Sequence, residues 1–142
     1  LNNIINGKFF ANQITEDLAI QIKEIYNKYK IIPKLAIIIV GNDERSLIYV
    51  QNKLKAAAKI NMDALLVQEN IDITTDELIN KIDILNNSDD IHGIIVQLPL
   101  PLHINKEKII EAISPLKDVD GFHPINVGYL HSGSTKAFVP CT

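Results

Sequence analysis

Apolar residues recur at three- and four-residue steps along the first thirty positions. Phe10, Ile14, Leu18, Ile22, Ile25 and Tyr29 keep this rhythm between Gly7 and Lys30. It predicts one long amphipathic helix, ended by Pro33. The period then changes. Lys34 to Val40 (KLAIIIV) is an apolar run, as expected of a strand covered on both faces. Gly41 and Asn42 break it, Asp43 is placed to cap a helix, and a helix is predicted from about Glu44 to Ile60. Ala64 to Gln68 reads as a second strand. Thr74 and Glu77 have capping-box spacing ahead of Leu78, Ile79, Ile82 and Leu85, one face of a helix that Asn86-Asn87-Ser88 stops. Gly93 to Leu98 (GIIVQL) predicts a third strand, halted by Pro99 and Pro101. Asn105 to Ile113 predicts a short helix. From Ser114 to Thr142 the chain is rich in Pro, Gly and Asp, and mostly irregular structure is predicted.

Apolar strands alternating with helices predict an α/β fold, a three-layer sandwich with a largely parallel sheet. No internal repeat, low-complexity tract or linker interrupts residues 1–142, so one domain is expected. Composition changes this picture little. At 142 residues and 46% apolar content the chain can bury a core of its own. Its net charge of −3 argues against a nucleic-acid partner, which calls for a basic surface. No apolar run is long enough to cross a bilayer. The N-terminus, with polar Asn2, Asn3 and Asn6, has no signal-peptide pattern. A single cysteine, Cys141, makes no internal disulfide. A cytoplasmic enzyme is the expectation.

Ligands of open parallel sheets bind beyond the carboxyl ends of the strands. Two such ends can be read here, at Val40-Gly41 and at Val96-Gln97-Leu98-Pro99. On the helix after Gly41, Ser46, Tyr49 and Lys53 share an arc of roughly 60°. Val50, Leu54 and Ala58 form a neighbouring apolar stripe that can dock on the sheet, and Lys55 falls on the far side. Spacing alone leaves two readings of that arc, a ligand-facing row or a solvated face. Gln97 ends an apolar strand, where its amide must find partners or be costly to bury. It can reach into a cleft or satisfy nearby backbone. Asp118 and Asp120 alternate along the chain, so their side chains should point oppositely, and Gly121 lets the chain turn after them. One could accept hydrogen bonds from an amino-bearing heterocycle, or both could serve a turn. His92, His103, His123 and His131 lack the spacing of a metal site, and no metal is expected. The six glycines form neither a GxGxxG fingerprint nor a phosphate loop.

Four stretches together resemble one family. Gly41-Asn-Asp-Glu-Arg-Ser46-Leu-Ile-Tyr49-Val-Gln-Asn-Lys53-Leu-Lys55 resembles a G-x4-S-x2-Y-V-x2-K-x-K helix signature. Gly93-Ile-Ile-Val-Gln97-Leu-Pro-Leu-Pro101 resembles G-x-x-V-Q-L-P-L-P. Pro115-Leu-Lys-Asp-Val-Asp120-Gly-Phe-His-Pro124, followed by Asn126 and Gly128, resembles P-x-K-D-V-D-G-F-H-P-x-N-x-G. Phe138-Val-Pro-Cys-Thr142 is similar to the start of a P-C-T-P-x-G junction. The family is that of bifunctional methylenetetrahydrofolate dehydrogenase/methenyltetrahydrofolate cyclohydrolases, and the resemblance covers essentially the whole chain.

The resemblance implies oxidation of 5,10-methylenetetrahydrofolate to the 5,10-methenyl form with NADP, then hydrolysis to 10-formyltetrahydrofolate. It makes Lys53 the central catalytic residue, a role that suits a partly desolvated amine beside a cationic ligand. It implies that Gln97 orients Lys53 and that Tyr49 stacks on the aminobenzoate ring. Asp120 would accept hydrogen bonds from the pterin amino edge. Ser46 is a secondary candidate, and Leu98 and Pro99 are expected to line the folate. Residues 1–142 would then be the folate-binding catalytic domain. The seat for NADP is expected in a dinucleotide-binding Rossmann domain after residue 142, and a homodimer is expected of the full-length form. An excerpt of a bifunctional enzyme is the favoured reading. The alternatives are a natural short product that keeps folate binding or the cyclohydrolase step without dehydrogenase activity, and a non-catalytic remnant that only binds or dimerises. An exposed apolar patch of several hundred Å² would favour the excerpt.

Overall fold

The computed structural model describes residues 5–140. The readings placed on Asn2, Asn3, Cys141 and Thr142 lie outside the described residues. The elements run α1 (Gly7–Tyr29), β1 (Lys34–Val40), α2 (Glu44–Lys59), β2 (Asp63–Glu69), α3 (Thr75–Asn86), β3 (Gly93–Val96), α4 (Lys106–Ala112) and α5 (Pro124–His131). The three strands form one parallel sheet in the order β2-β1-β3. This is the expected α/β architecture.

Local chemistry sets the element ends. The Asn6 side chain accepts the Phe9 amide at the start of α1, and the helix closes at Lys30, in the left-handed region at φ 59°. The chain therefore leaves α1 three residues before Pro33. Asp43 caps α2 by accepting the Ser46 amide at 2.8 Å. Thr74 and Glu77 form the capping box of α3 in both directions. Pro124 sits in the first turn of α5, where its missing N–H costs nothing.

Side-chain alternation sorts the sheet into two faces. Ala36, Ile38 and Val40 of β1 and Ile94 and Val96 of β3 pack with Leu78, Ile82 and Leu85 of α3 and Ile109 of α4. The opposite face is smaller. There Ile37 and Ile39 are covered by Val50 of α2, with Leu47 and Leu54 at the margin. Each fully buried aliphatic contributes about 1.5–3 kcal/mol, so most of the stabilisation lies on the α3/α4 side. On α2 the apolar stripe drifts from expectation, since Ala57 is buried and Ala58 is exposed.

Helix α1 forms as the periodicity requires, yet Ile22 is its only buried residue. Phe10, Ile14 and Tyr29 are each more than half exposed, and Leu18 and Ile25 are exposed as well. No helix among the described residues is long and apolar enough to cross a membrane.

Candidate active site

The site grows from the register of β3. Ile94 and Val96 face α3 and α4, so the next odd position, Gln97, turns towards α2. The Gln97 amide N–H still bonds Ile38 O at 2.8 Å, which holds the residue on the carboxyl end of the sheet. Beyond it the chain leaves the ladder at Leu98 and Pro99, joined by a cis peptide bond. From α2, Lys53 reaches across and donates from Nζ to Gln97 Oε1 at 2.9 Å. Gln97 Nε2 donates to Leu98 O at 2.7 Å. With its NH₂ committed to a carbonyl, the amide oxygen must face Lys53. The lysine is thereby aimed by a side chain that is itself oriented by backbone.

Asp120 lies within the field of this lysine. Burial pushes its carboxyl above the usual carboxylate value, the Lys53 charge pulls it back, and Asp118 pushes it further up. Asp120 also borders a small cavity, shared with Leu98 and Phe122, of about 10 Å³. That is room for roughly one water. Tyr49, one helical turn before Lys53 on α2, is 63% exposed. A wider open groove beside α1, lined by Ala19, Ile22, Tyr26 and Ile32, shares no residue with this site.

Of the four residues singled out from the sequence, the structure joins Lys53 directly to Gln97 and sets Asp120 within the field of Lys53, while Tyr49 is exposed on α2 one turn before the lysine. Leu98 is half-buried beside them and Pro99 is exposed. Ser46 stands elsewhere in character. It is buried, and its hydroxyl donates to Asp43 Oδ2 at 2.8 Å, so it serves the α2 cap. Those bonds hold the Asp43 carboxyl below its usual value.

The two aspartates separate cleanly. Asp118 is buried, with Oδ1 accepting from the Gly121 and Phe122 amides and Oδ2 from the His123 amide and Asn126 Nδ2. Asp120 accepts no hydrogen bond from any described residue. Asn126 and His123, both buried, are given no role in the site by the sequence, where His123 is weighed only as a metal ligand. Asn126 sits two residues after Pro124 in a segment with no helical apolar rhythm, so only its place in the family-like segment signalled it.

Among the described residues no group of three His, Cys, Asp or Glu side chains could hold a metal. The strand–Gly41–helix turn is where a dinucleotide phosphate sits in related α/β folds. Here the Asp43 carboxylate already occupies the N-terminus of α2, which repels an anion. This turn therefore does not fit the phosphates of a nicotinamide dinucleotide.

Fold and geometry define an α/β domain with a lysine–glutamine pair and a vacant carboxylate at the carboxyl end of its parallel sheet. Residues 5–120 match the model of the tetrahydrofolate dehydrogenase/cyclohydrolase catalytic domain, and the chain belongs to that family. The chain is 55% identical over its full length to the bifunctional protein FolD of Rickettsia canadensis, of which it covers 49%. A crystal structure of the bifunctional enzyme FolD from Campylobacter jejuni superposes with a TM-score of 0.93 at 45% identity, covering 96% of this chain and 48% of that one. A Trypanosoma brucei methylenetetrahydrofolate dehydrogenase-cyclohydrolase, solved with NADP cofactor and inhibitor, gives 0.92 at 36% identity, covering 97% and 47%. The chain thus spans about half the length of the curated relatives it matches.

Proposed function

We propose that this chain is the folate-binding catalytic half of a bifunctional methylenetetrahydrofolate dehydrogenase/cyclohydrolase. The observation that carries the reading is the Lys53 Nζ–Gln97 Oε1 bond of 2.9 Å at the carboxyl end of the sheet. The names of its relatives support the same activity, and one of those structures holds NADP.

In this reading the folate lies along α2, its aminobenzoate ring against Tyr49 and its pterin amino edge on Asp120. Hydrolysis adds water to the methenyl carbon, loses one proton and opens the bond to N5, leaving a formyl group on N10. Lys53 is the group that holds or moves that proton, kept in place by Gln97. The ligand's positive charge favours the ionised form of Asp120, against the burial that opposes it. Oxidation of the methylene form requires a hydride acceptor, which NADP supplies when bound, and its seat is assigned to a second, dinucleotide-binding domain. The doubled length of the relatives supports that assignment. So does the exposed apolar stripe of α1, a surface of the kind that another domain covers.

The test is hydrolysis of 5,10-methenyltetrahydrofolate by the 142-residue chain beside Lys53→Met. Loss of a proton-transfer group costs about 10²–10⁴ in rate, so activity above background should vanish in the variant. Equal rates in the two proteins would sink the assignment of Lys53.

A further inference from the structure

We infer that Asp118 is the positioning residue of this site: its buried carboxylate gathers the chain from Gly121 to Asn126 around itself and so fixes where Asp120 stands opposite Lys53. The inference rests on the proposed reading that Asp120 receives the folate.

Asp118 is 2% exposed, too deep to meet a ligand. Its four hydrogen bonds are 3.1 Å from Gly121 N, 3.3 Å from Phe122 N, 2.8 Å from His123 N and 2.8 Å from Asn126 Nδ2. A carboxylate offers about four acceptor sites, so this one is filled. No cation among the described residues forms an ion pair with it. The adjacent Lys117 points away, donating from Nζ to Leu85 O, Asn86 O and Ser88 O at 3.2, 2.8 and 2.7 Å. A buried anion held by amides alone ties the position of each donor to its own.

The rest of the segment is pinned to the body. Ile94 N donates to Lys117 O at 2.7 Å, and Asp118 bridges Ile94 on the edge of β3. Asn126, also 2% exposed, divides its amide between Pro115 O at 2.9 Å and the Asp118 carboxylate. Gly121 adopts φ +71°, and a side chain there would strike Phe138 O. Between these fixed points stands Asp120, whose carboxylate no described residue engages. One turn therefore holds a saturated aspartate that shapes it and a vacant one that it presents. The groups facing Asp120 are Lys53 from α2 and Asp118 from its own turn, and the Asp118 charge also pushes the Asp120 carboxyl upward.

The test is a double-mutant cycle on the 142-residue chain, with tetrahydrofolate as probe and calorimetry as readout. Asp118→Asn keeps the shape of the side chain and removes one acceptor oxygen and the charge. A role exercised through Asp120 predicts at least tenfold weaker binding for Asp118→Asn and for Asp120→Asn. It also predicts no further loss in the double variant beyond Asp120→Asn alone. A carbon-13 titration of Asp120 should move to lower pH in Asp118→Asn. Binding unchanged by Asp118→Asn, or losses that simply add, overturns the inference and leaves Asp120 its role. No binding by the unaltered chain, or undiminished binding by Asp120→Asn, overturns the underlying reading instead. If Asp118→Asn does not fold, Asn126→Ala enters the same cycle with the same criteria.

Discussion

The two faces of the sheet are built from one alternating sequence and yet do different work. On the α3/α4 face, Ala36, Ile38, Ile94, Leu78, Ile82 and Ile109 are all fully buried. On the α2 face the packed cluster shrinks to Ile37, Ile39 and Val50. The polar groups of the site stand at the edge of this thinner layer, and α1 leaves its apolar stripe uncovered. The contrast teaches that one face is organised for stability, and the other exchanges some of it for access.

Substitutions on the two faces should therefore separate, from large effects to small. Leu78→Ala, at a position with no exposure, should cost about 2–5 kcal/mol, read from the shift of a urea midpoint. A cost below about 1 kcal/mol would mean that the sealed face is loosely packed. Thr74→Ala removes a cap rather than core and should lower Tm by about 2–5 °C.

That cap also gives the comparison a pH axis. Bonds from the Thr74 amide and hydroxyl hold the Glu77 carboxyl below its ordinary value of 4.5. A depressed carboxylate lends stability that is fully present above the unfolded value and lost as pH falls through the folded one. Acid unfolding of the unaltered chain should thus show a component below pH 4.5 that shrinks in Thr74→Ala. An identical acid limb in both proteins would show the capping box to be open in solution. The smallest effect is expected on α1. Ile14→Ser should move the urea midpoint by less than about 0.5 kcal/mol equivalent, and a larger shift would mean that the stripe is covered in solution.

Much of this contrast could be read from the residues. Period changes located α1 through α4 and all three strands, because each carries either a helical stripe or an apolar run with a clear stop. Helix α5 escaped, since Ile125, Val127 and Tyr129 are exposed and only Asn126 is buried, leaving no rhythm to detect. Lys53 and Gln97 were ambiguous from spacing alone and became specific only through the resemblance. Ser46 shows the limit of an arc argument. It shares a helical face with Lys53, yet its nearness to the cap gives its hydroxyl a closer partner in Asp43. Asp118 and Asp120 look alike in sequence, and only the folded turn shows which is filled. The donors that fill Asp118 are three backbone amides and one amide side chain, and backbone amides leave no residue signature.

The register of β3 carries a consequence for descent. Val96 belongs to the sealed core and Gln97, the next residue, belongs to the site. A one-residue deletion between Gly93 and Gln97 would swing the amide into an oil-filled interior and turn an aliphatic towards Lys53. Chemistry and core thus share a single reading frame along this strand. Lineages can revise either by substitution, but length changes must be carried by the loops, where no alternation is at stake.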